Sequence, residues 1–276
     1  MNCSSLTNCV TFVTTYTFWD YLAAFVLGAI VGSFLNVVML RLRSGMSFVI
    51  GTSQCLSCGT KLRWFELIPI VSFLIQRGRC TTCHAKLFYQ YPLVELTSGL
   101  VFVLVLGRSG ILLLPDVSSV MVFVLSLVFW SVALVIAGYD ARHKIIPDEL
   151  SILLGLIGII FAFTDTGVPA IVSISCGFTA ALFYGALWLV SKGKWMGLGD
   201  AKLAFGLGTF LGWPMVVLGN LFGFWIGAIW GVIFMLTGKY NRKSELPFGP
   251  FLIIGAFIAY YAGDILLEWY IMLIGL

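Results

Sequence analysis

Two acids, Asp140 and Asp200, stand at the edges of long apolar runs, Asp140 closing one and Asp200 opening another. A charged side chain at the centre of a membrane helix costs about 2.5–3.5 kcal/mol on insertion scales, so an acid beside such a run calls for a task or a partner. Asp200 lies in Gly197-Leu198-Gly199-Asp200-Ala201-Lys202-Leu203, where Gly197 and Gly199 leave the backbone open to an extended peptide. Two carboxylates sharing one proton form an acid and a base around one water, and one can activate that water against a peptide carbonyl while the other protonates the carbonyl oxygen. The structural alternative makes Asp200 a helix cap and sends Lys202 to the lipid headgroups. Asp148 shares a charged junction with Asp140 and competes with it; placed after Pro147 and before an apolar run, it reads as an N-cap.

A second group is Cys55-x-x-Cys58 with Cys80-x-x-Cys83, separated by 21 residues. Two such knuckles supply four thiolates at the spacing of a structural zinc site. Four thiolates close the coordination sphere and leave no position for a catalytic water. His84 directly follows Cys83 and is an alternative ligand, and a redox dithiol is the non-metal alternative. Cys176 lies inside an apolar helix and reads as packing. Cys3 and Cys9 sit in the N-terminal tail, where a disulfide would require an oxidising compartment.

These groups need a scaffold, and composition says which kind. Of 276 residues, 60% are hydrophobic and 10% charged, against about 25% charged in soluble domains. The apolar residues fall in blocks of about 20, the length that crosses a bilayer core. No short alternating segments of a membrane barrel appear. The expected fold is therefore an all-α polytopic membrane protein of about eight transmembrane helices, with a small polar loop domain. The helices are expected near 19–42, 91–106, 120–139, 149–163, 170–190, 200–212, 215–236 and 247–276. The first 18 residues carry no basic segment of a cleavable signal, so the first helix is expected to be retained. That helix holds Gly28-x-x-x-Gly32-Ser33, a face suited to close helix contact, and Asn36, expected to hydrogen-bond across helices. The segment 200–212 spans only about 20 Å as helix, so a re-entrant loop competes with a short crossing there.

Charge sets the expected orientation, because Lys and Arg concentrate in cytoplasmic loops. With eight crossings and an external N-terminus, every Lys and Arg except Arg108 falls on the cytoplasmic side. Making 200–212 re-entrant would put Lys239, Arg242 and Lys243 outside, so the short crossing is preferred. This arrangement brings Asp140, Asp148 and Asp200 to the cytoplasmic membrane edge together with the cysteine loop. It divides the chain into a tail (1–18), a first transmembrane helix (19–42), a cytoplasmic four-cysteine zinc loop (43–90) and a transmembrane core (91–276).

The chain resembles the type IV prepilin leader peptidase/N-methyltransferase family. The resemblance is carried by Gly32-Ser33-Phe34-Leu35-Asn36-Val37-Val38 with Arg41-Leu42, the two cysteine pairs, and Gly78-Arg79-Cys80. It continues through Tyr91-Pro92-Leu93-Val94-Glu95, Asp140 to Asp148, the Gly-Leu-Gly-Asp stretch and Pro247-Phe248-Gly249-Pro250. The Gly-x-Gly-Asp motif is shared with other intramembrane aspartyl proteases. Two departures fall in the cysteine loop: Leu56 stands where a proline often follows the first cysteine, and Trp64-Phe65-Glu66-Leu67-Ile68-Pro69 replaces a Trp-x-x-Asn-Ile-Pro pattern.

The resemblance implies an inner-membrane aspartyl endopeptidase with Asp140 and Asp200 catalytic and Gly197, Gly199, Lys202 and Asp148 in support. It implies that type IV prepilins and pseudopilins are cleaved at a Gly–Phe junction on the cytoplasmic side. It also implies methylation of the new N-terminus by S-adenosyl-L-methionine, with Glu95 a candidate for that activity or for substrate contact; a helix-start acid near the dipole is the competing reading of Glu95. Partners are then the pilin substrates and the lipid bilayer, with no nucleic acid. A proton-coupled transporter and a non-catalytic assembly scaffold with a zinc loop are the rival classes.

Overall fold

The computed structural model describes residues 16–45, 47, 51–109, 111, 116–164, 167–237 and 246–274. Cys3, Cys9, Lys239, Arg242 and Lys243 lie outside the described residues. The chain divides into two compact units, Tyr16–Gly107 and a second one whose described part begins at Arg108.

In the first unit, α1 (Phe18–Arg41) is followed by a polar excursion with a 3₁₀ turn (Trp64–Leu67) and a short helix α2 (Val71–Ile75), then by α3 (Gln90–Ser109), whose last residues pass the unit boundary. Thr17 opens α1 as a capping box with Asp20. The Gly28/Gly32 face does what its spacing predicts. A Cβ on Gly28 would come within 2.8 Å of the Cα of Gly99, and one on Gly32 within 2.8 Å of the Cα of Glu95. Only glycine lets these backbones approach so closely. Asn36 is buried and donates from Nδ2 to the carbonyl of Tyr91 at 3.1 Å, the expected bond between helices.

The second unit contains α4 (Val117–His143), α5 (Asp148–Ala162), α6 (Ala170–Ser191), α7 (Leu198–Leu211), α8 (Met215–Leu236) and α9 (Gly249–Ile274). The pairs α8/α9, α6/α7 and α5/α7 pack most extensively. α7 is the centrepiece, with most of its residues buried, and small residues let its neighbours in. A Cβ on Gly158 of α5 would lie 3.0 Å from the carbonyl oxygen of Gly206, and one on Gly208 would lie 3.0 Å from that of Cys176 on α6. The outer faces are apolar, with Leu221, Trp225, Ile229 and Ile233 of α8 exposed. That is the surface of a protein solvated by lipid rather than water.

No strand forms among the described residues, and the chain is a multi-pass helical membrane protein. Six of the described helices are long and apolar enough to cross a bilayer: α1, α3, α4, α6, α8 and α9. The remaining two of the eight expected, α5 with 15 residues and α7 with 14, fall short of that length. α4 continues one turn beyond the expected end at Tyr139. It ends where Lys144 takes a left-handed conformation (φ 56°) and its amide bonds back to the carbonyl of Asp140 at 2.7 Å. Asp140 therefore lies on the last helical turn and not in a loop.

Candidate active site and metal centre

Asp140 is buried at the end of α4, and its Oδ2 accepts the amide of Gly249, the first residue of α9, at 3.1 Å. Asp200 is buried in the first turn of α7, and its Oδ2 accepts the amide of Gly197 at 3.0 Å. This is the return half of a capping box, since Gly197 has no side chain to complete it. The cap reading of Asp200 is thus partly right, and it occupies one lone-pair direction of one oxygen. The carboxylate of Asp140 is the charge that acts on Asp200, so the fold brings the two acids within electrostatic range.

Ile146, in the turn between α4 and α5, explains how. A Cβ on Gly199 would approach the Cβ of Ile146 to 3.0 Å, and one on Gly249 would approach its Cδ1 to 3.3 Å. One aliphatic side chain therefore packs against the N-terminal turns of both α7 and α9. Gly199 is small because Ile146 lies against it, which differs from the open backbone expected for a peptide. Gly197 is less crowded, with nothing nearer than 3.7 Å to an added Cβ.

Asp148 and Lys202 correct two expectations. Asp148 is the first residue of α5 and makes no cap; Pro147 holds the cap position. Its Oδ1 instead accepts from Nζ of Lys202 at 2.8 Å, joining the starts of α5 and α7. Lys202 therefore turns to Asp148 and not to headgroups. Both side chains are substantially exposed, which limits such a pair to about 0–1 kcal/mol.

The cysteine loop belongs to the other unit. The sulfurs of Cys55, Cys58, Cys80 and Cys83 all lie within 4.8 Å of one another, and those of Cys55 and Cys83 are 3.9 Å apart. Zinc–sulfur bonds of about 2.3 Å in a tetrahedron place sulfurs somewhat under 4 Å apart, so this donor set fits zinc. The two knuckles repeat one local plan. The amide of Cys55 bonds to the carbonyl of Thr60 and that of Cys80 to the carbonyl of Ala85, both at 2.9 Å. Isolated bridges Gln54–Lys61 and Arg79–Lys86 pinch the two turns shut. Each turn needs a left-handed residue after its second cysteine: Gly59 at φ 71° in the first, His84 at φ 56° in the second. His84 therefore fills a backbone role, and it is not part of the cluster. The hydroxyl of Thr60 and then its amide hold the Cys58 thiol down to about 6. The amides of Cys83 and Thr82 hold Cys80 below the ordinary thiol range. Both effects favour thiolates at Cys58 and Cys80, while at Cys83, against the pull of the Ala85 amide, burial and the neighbouring sulfurs push the thiol up to about 11.

Glu95 is buried in the second turn of α3, so the helix-start reading does not apply. Its Oε2 accepts the amide of Ile70 at 2.7 Å. Ile70 has φ 63° and ψ −51°, and the amide of Val71 bonds to the carbonyl of Pro69. That is a γ-turn of the rare hand on a β-branched residue, a strained conformation that needs an external anchor. Gly249, Ile146 and Ile70 were not singled out by sequence reasoning. Only the Pro-Phe-Gly-Pro motif pointed near the first of them.

A buried pair of carboxylates at the ends of packed membrane helices, with a four-thiolate loop in a separate unit, defines a multi-pass membrane protein with an acid-pair site. The chain belongs to the type IV leader peptidase family. Residues 127–232 match the family described as "Type IV leader peptidase family", and residues 26–108 match "Bacterial Peptidase A24 N-terminal domain". Among similar proteins is the prepilin leader peptidase/N-methyltransferase of Pseudomonas putida, 32% identical over 90% of this chain and 96% of its own length. The protein of that name in Bacillus subtilis is 31% identical over 90% and 96%, and that of Pseudomonas aeruginosa 32% over 93% and 98%. No solved structure matches the chain.

Proposed function

We propose that this chain removes the leader of type IV prepilins and pseudopilins, with Asp140 and Asp200 as the working pair. The observation that carries the proposal is two buried carboxylates within electrostatic range, one on the last turn of one helix and one on the first turn of another, both inside the matched family region. The pair holds one proton between its members. One carboxylate takes a proton from a water as the water oxygen bonds to the scissile carbonyl carbon. The other gives its proton to the carbonyl oxygen. Collapse of the tetrahedral adduct breaks the C–N bond, and the proton taken from water passes to the departing amine. The adduct hydroxyl returns the second proton to the pair. A leader ending in a carboxyl group and a pilin with a free N-terminal amine result.

In this reading the protein lies in the inner membrane with its N-terminus outside, and α5 and α7 are short crossings that bring the total to eight. The acid pair and the cysteine loop then face the cytoplasm, where the cations concentrate. Cys55, Cys58, Cys80 and Cys83 would hold zinc as a structural cross-link, with all four positions taken by sulfur. The relatives' names support a second activity, in which S-adenosyl-L-methionine supplies a methyl group to the new amine. Glu95 is committed to the amide of Ile70, so its support of the loop is the role we assign it.

The test is cleavage of a prepilin-like peptide read by mass, with Asp140→Asn and Asp200→Asn beside the wild type. Each variant should lose at least about 100-fold in rate while still inserting. Normal processing by either variant would exclude that residue from the pair, and a methyl mass added only with S-adenosyl-L-methionine would establish the second step.

A further inference from the structure

Residues 64–75, between the two cysteine knuckles, read Trp-Phe-Glu-Leu-Ile-Pro-Ile-Val-Ser-Phe-Leu-Ile. Glu66 and Ser72 are the only polar side chains in this stretch. An apolar run of this length is too short to cross a bilayer; it either fills a core or lies along an interface. The structure excludes the core, because no residue of α2 is buried. Trp64 is 78% exposed, Leu74 67% and Ile75 76%. Val71, Leu74 and Ile75 are all exposed and follow the i, i+3, i+4 spacing of one helical face. The acid of the stretch is drawn out of this surface. Glu66 is buried, where it accepts the amide of Arg63 at 2.7 Å and the hydroxyl of Thr81 in the second knuckle.

α3 fixes the depth of this surface. The amide of Ile70 reaches the Glu95 carboxylate, one turn into α3. The ring of Phe73 lies 5.8 Å from that of Tyr89, the residue before α3 begins. The 20 residues of α3 rise about 30 Å, the thickness of a hydrocarbon core, so the start of α3 marks the membrane boundary. The apolar stretch is bonded level with that start and not out in solvent. Phe88 and Tyr89, both exposed, add aromatic rings at the same level, where aromatic belts form.

The charges around the stretch have one sign. Lys61, Arg63, Arg77, Arg79 and Lys86 are exposed, and Glu66 is the only acid between 43 and 90. These five cations outweigh the two negative charges of a zinc tetrathiolate. The guanidinium of Arg63 lies 5.9 Å from the ring centre of Phe65, so cation and apolar surface are continuous. An apolar face rimmed by Lys and Arg at the membrane boundary matches anionic phospholipid.

We propose that residues 64–75, with Phe88 and Tyr89, are an interfacial foot that seats the cysteine loop in the headgroup region of the bilayer, with anionic phospholipids meeting its flanking cations. The loop is then a membrane-bound element between α1 and α3. This seat needs only that α1 and α3 cross the bilayer, and it stands apart from the peptidase reading.

The test uses the full chain in phosphatidylcholine nanodiscs, carrying Leu74→p-benzoylphenylalanine or Ile75→p-benzoylphenylalanine, with the products of irradiation read by mass. Both positions are exposed, so the label displaces no packed side chain. The same label at Val26, exposed on α1, calibrates the yield of lipid adduct. An adduct of phospholipid mass is expected at Leu74 and Ile75 in comparable yield. A cross-link to another part of the chain or to a second copy, or no adduct where Val26 gives one, would overturn the seat. In an equal mixture with phosphatidylglycerol the adduct at Ile75 should rise about twofold or more, and Arg77→Gln with Arg79→Gln should remove the rise. A lipid adduct that stays level in the mixture would uphold the apolar seat and overturn the part given to the cations.

Discussion

The amide of Gly249 donates to Oδ2 of Asp140 at 3.1 Å, across 109 positions of the chain. A Cβ at position 249 would lie 2.8 Å from that same oxygen. The first residue of α9 thus both orients the carboxylate and must be small to do so.

Gly249→Ala should therefore push the carboxylate out of place without unfolding the bundle. A displacement of about 1 Å at a reacting group can cost about 100-fold in rate. Steady-state cleavage should show the loss in kcat, and the melting temperature should stay near wild type. Undiminished kcat would mean that this contact does not set the acid's position.

The cysteine loop should carry one zinc per chain, measured by elemental analysis of purified protein. Cys55→Ser or Cys80→Ser removes a buried ligand and should abolish stoichiometric metal, since the remaining thiolates no longer close the tetrahedron. A strong chelator should then expose residues 51–89 to proteolysis in the wild type. A metal-free wild type whose loop resists protease equally well would defeat the zinc reading.

Removing the anchor of the strained turn should weaken the first unit. Glu95→Ala leaves the half-buried Ile70 amide without its carboxylate partner, at a cost below that of a fully buried unsatisfied donor, about 1–3 kcal/mol. Glu95→Gln retains an acceptor and should lose less. Hydrogen exchange at Ile70 and Val71 reads the difference directly; equal protection in wild type and Glu95→Ala would remove the anchoring role.

Glu66 predicts a pH dependence. The amide of Arg63, and then the hydroxyl of Thr81, hold its carboxyl below the ordinary carboxylate range. A carboxylate with a depressed folded pKa contributes stability above its unfolded pKa, and that contribution disappears as pH falls through the folded value. The wild-type loop should accordingly outlast Glu66→Gln against protease at neutral pH, and the two should converge in acid. Acidification protonates the cysteines of both proteins alike, so the difference between them isolates Glu66. Parallel curves would show that Glu66 adds nothing to the loop's pH response.

What the sequence made legible depended on chemistry local in the chain. Cys-x-x-Cys twice announces its cluster because each pair is one turn, and Asp140 and Asp200 stand out because acids are costly beside apolar helices. The Gly28/Gly32 face and the bond made by Asn36 were likewise readable from small and polar residues in an apolar run. What stayed hidden runs through the backbone. Gly249 acts through its amide, which no residue type reveals. Ile70 is strained in a conformation its side chain disfavours, and the fold imposes it through Glu95. His84 offered a substitute ligand by its side chain, yet its left-handed backbone places it where Gly59 sits in the other knuckle. Asp148 looked like a cap until folding brought Lys202 beside it, 54 positions away.

The length of α5 reaches beyond the protein itself. Fifteen helical residues rise about 22 Å, while a bilayer's hydrocarbon core is about 30 Å thick. α5 also turns Ile152, Leu156 and Ile160 outward, with Phe163 exposed at its C-cap, so on the proposed crossing lipid would meet this short face directly. In the proposed eight-crossing arrangement, acyl chains there would splay or shorten and headgroups would dip inward. A helix drifting along that dimple sheds hydrocarbon a turn or more earlier than it would elsewhere. On the proposed crossing, its end would come free of hydrocarbon sooner, and membrane thickness would then bear on which bonds are presented for cutting.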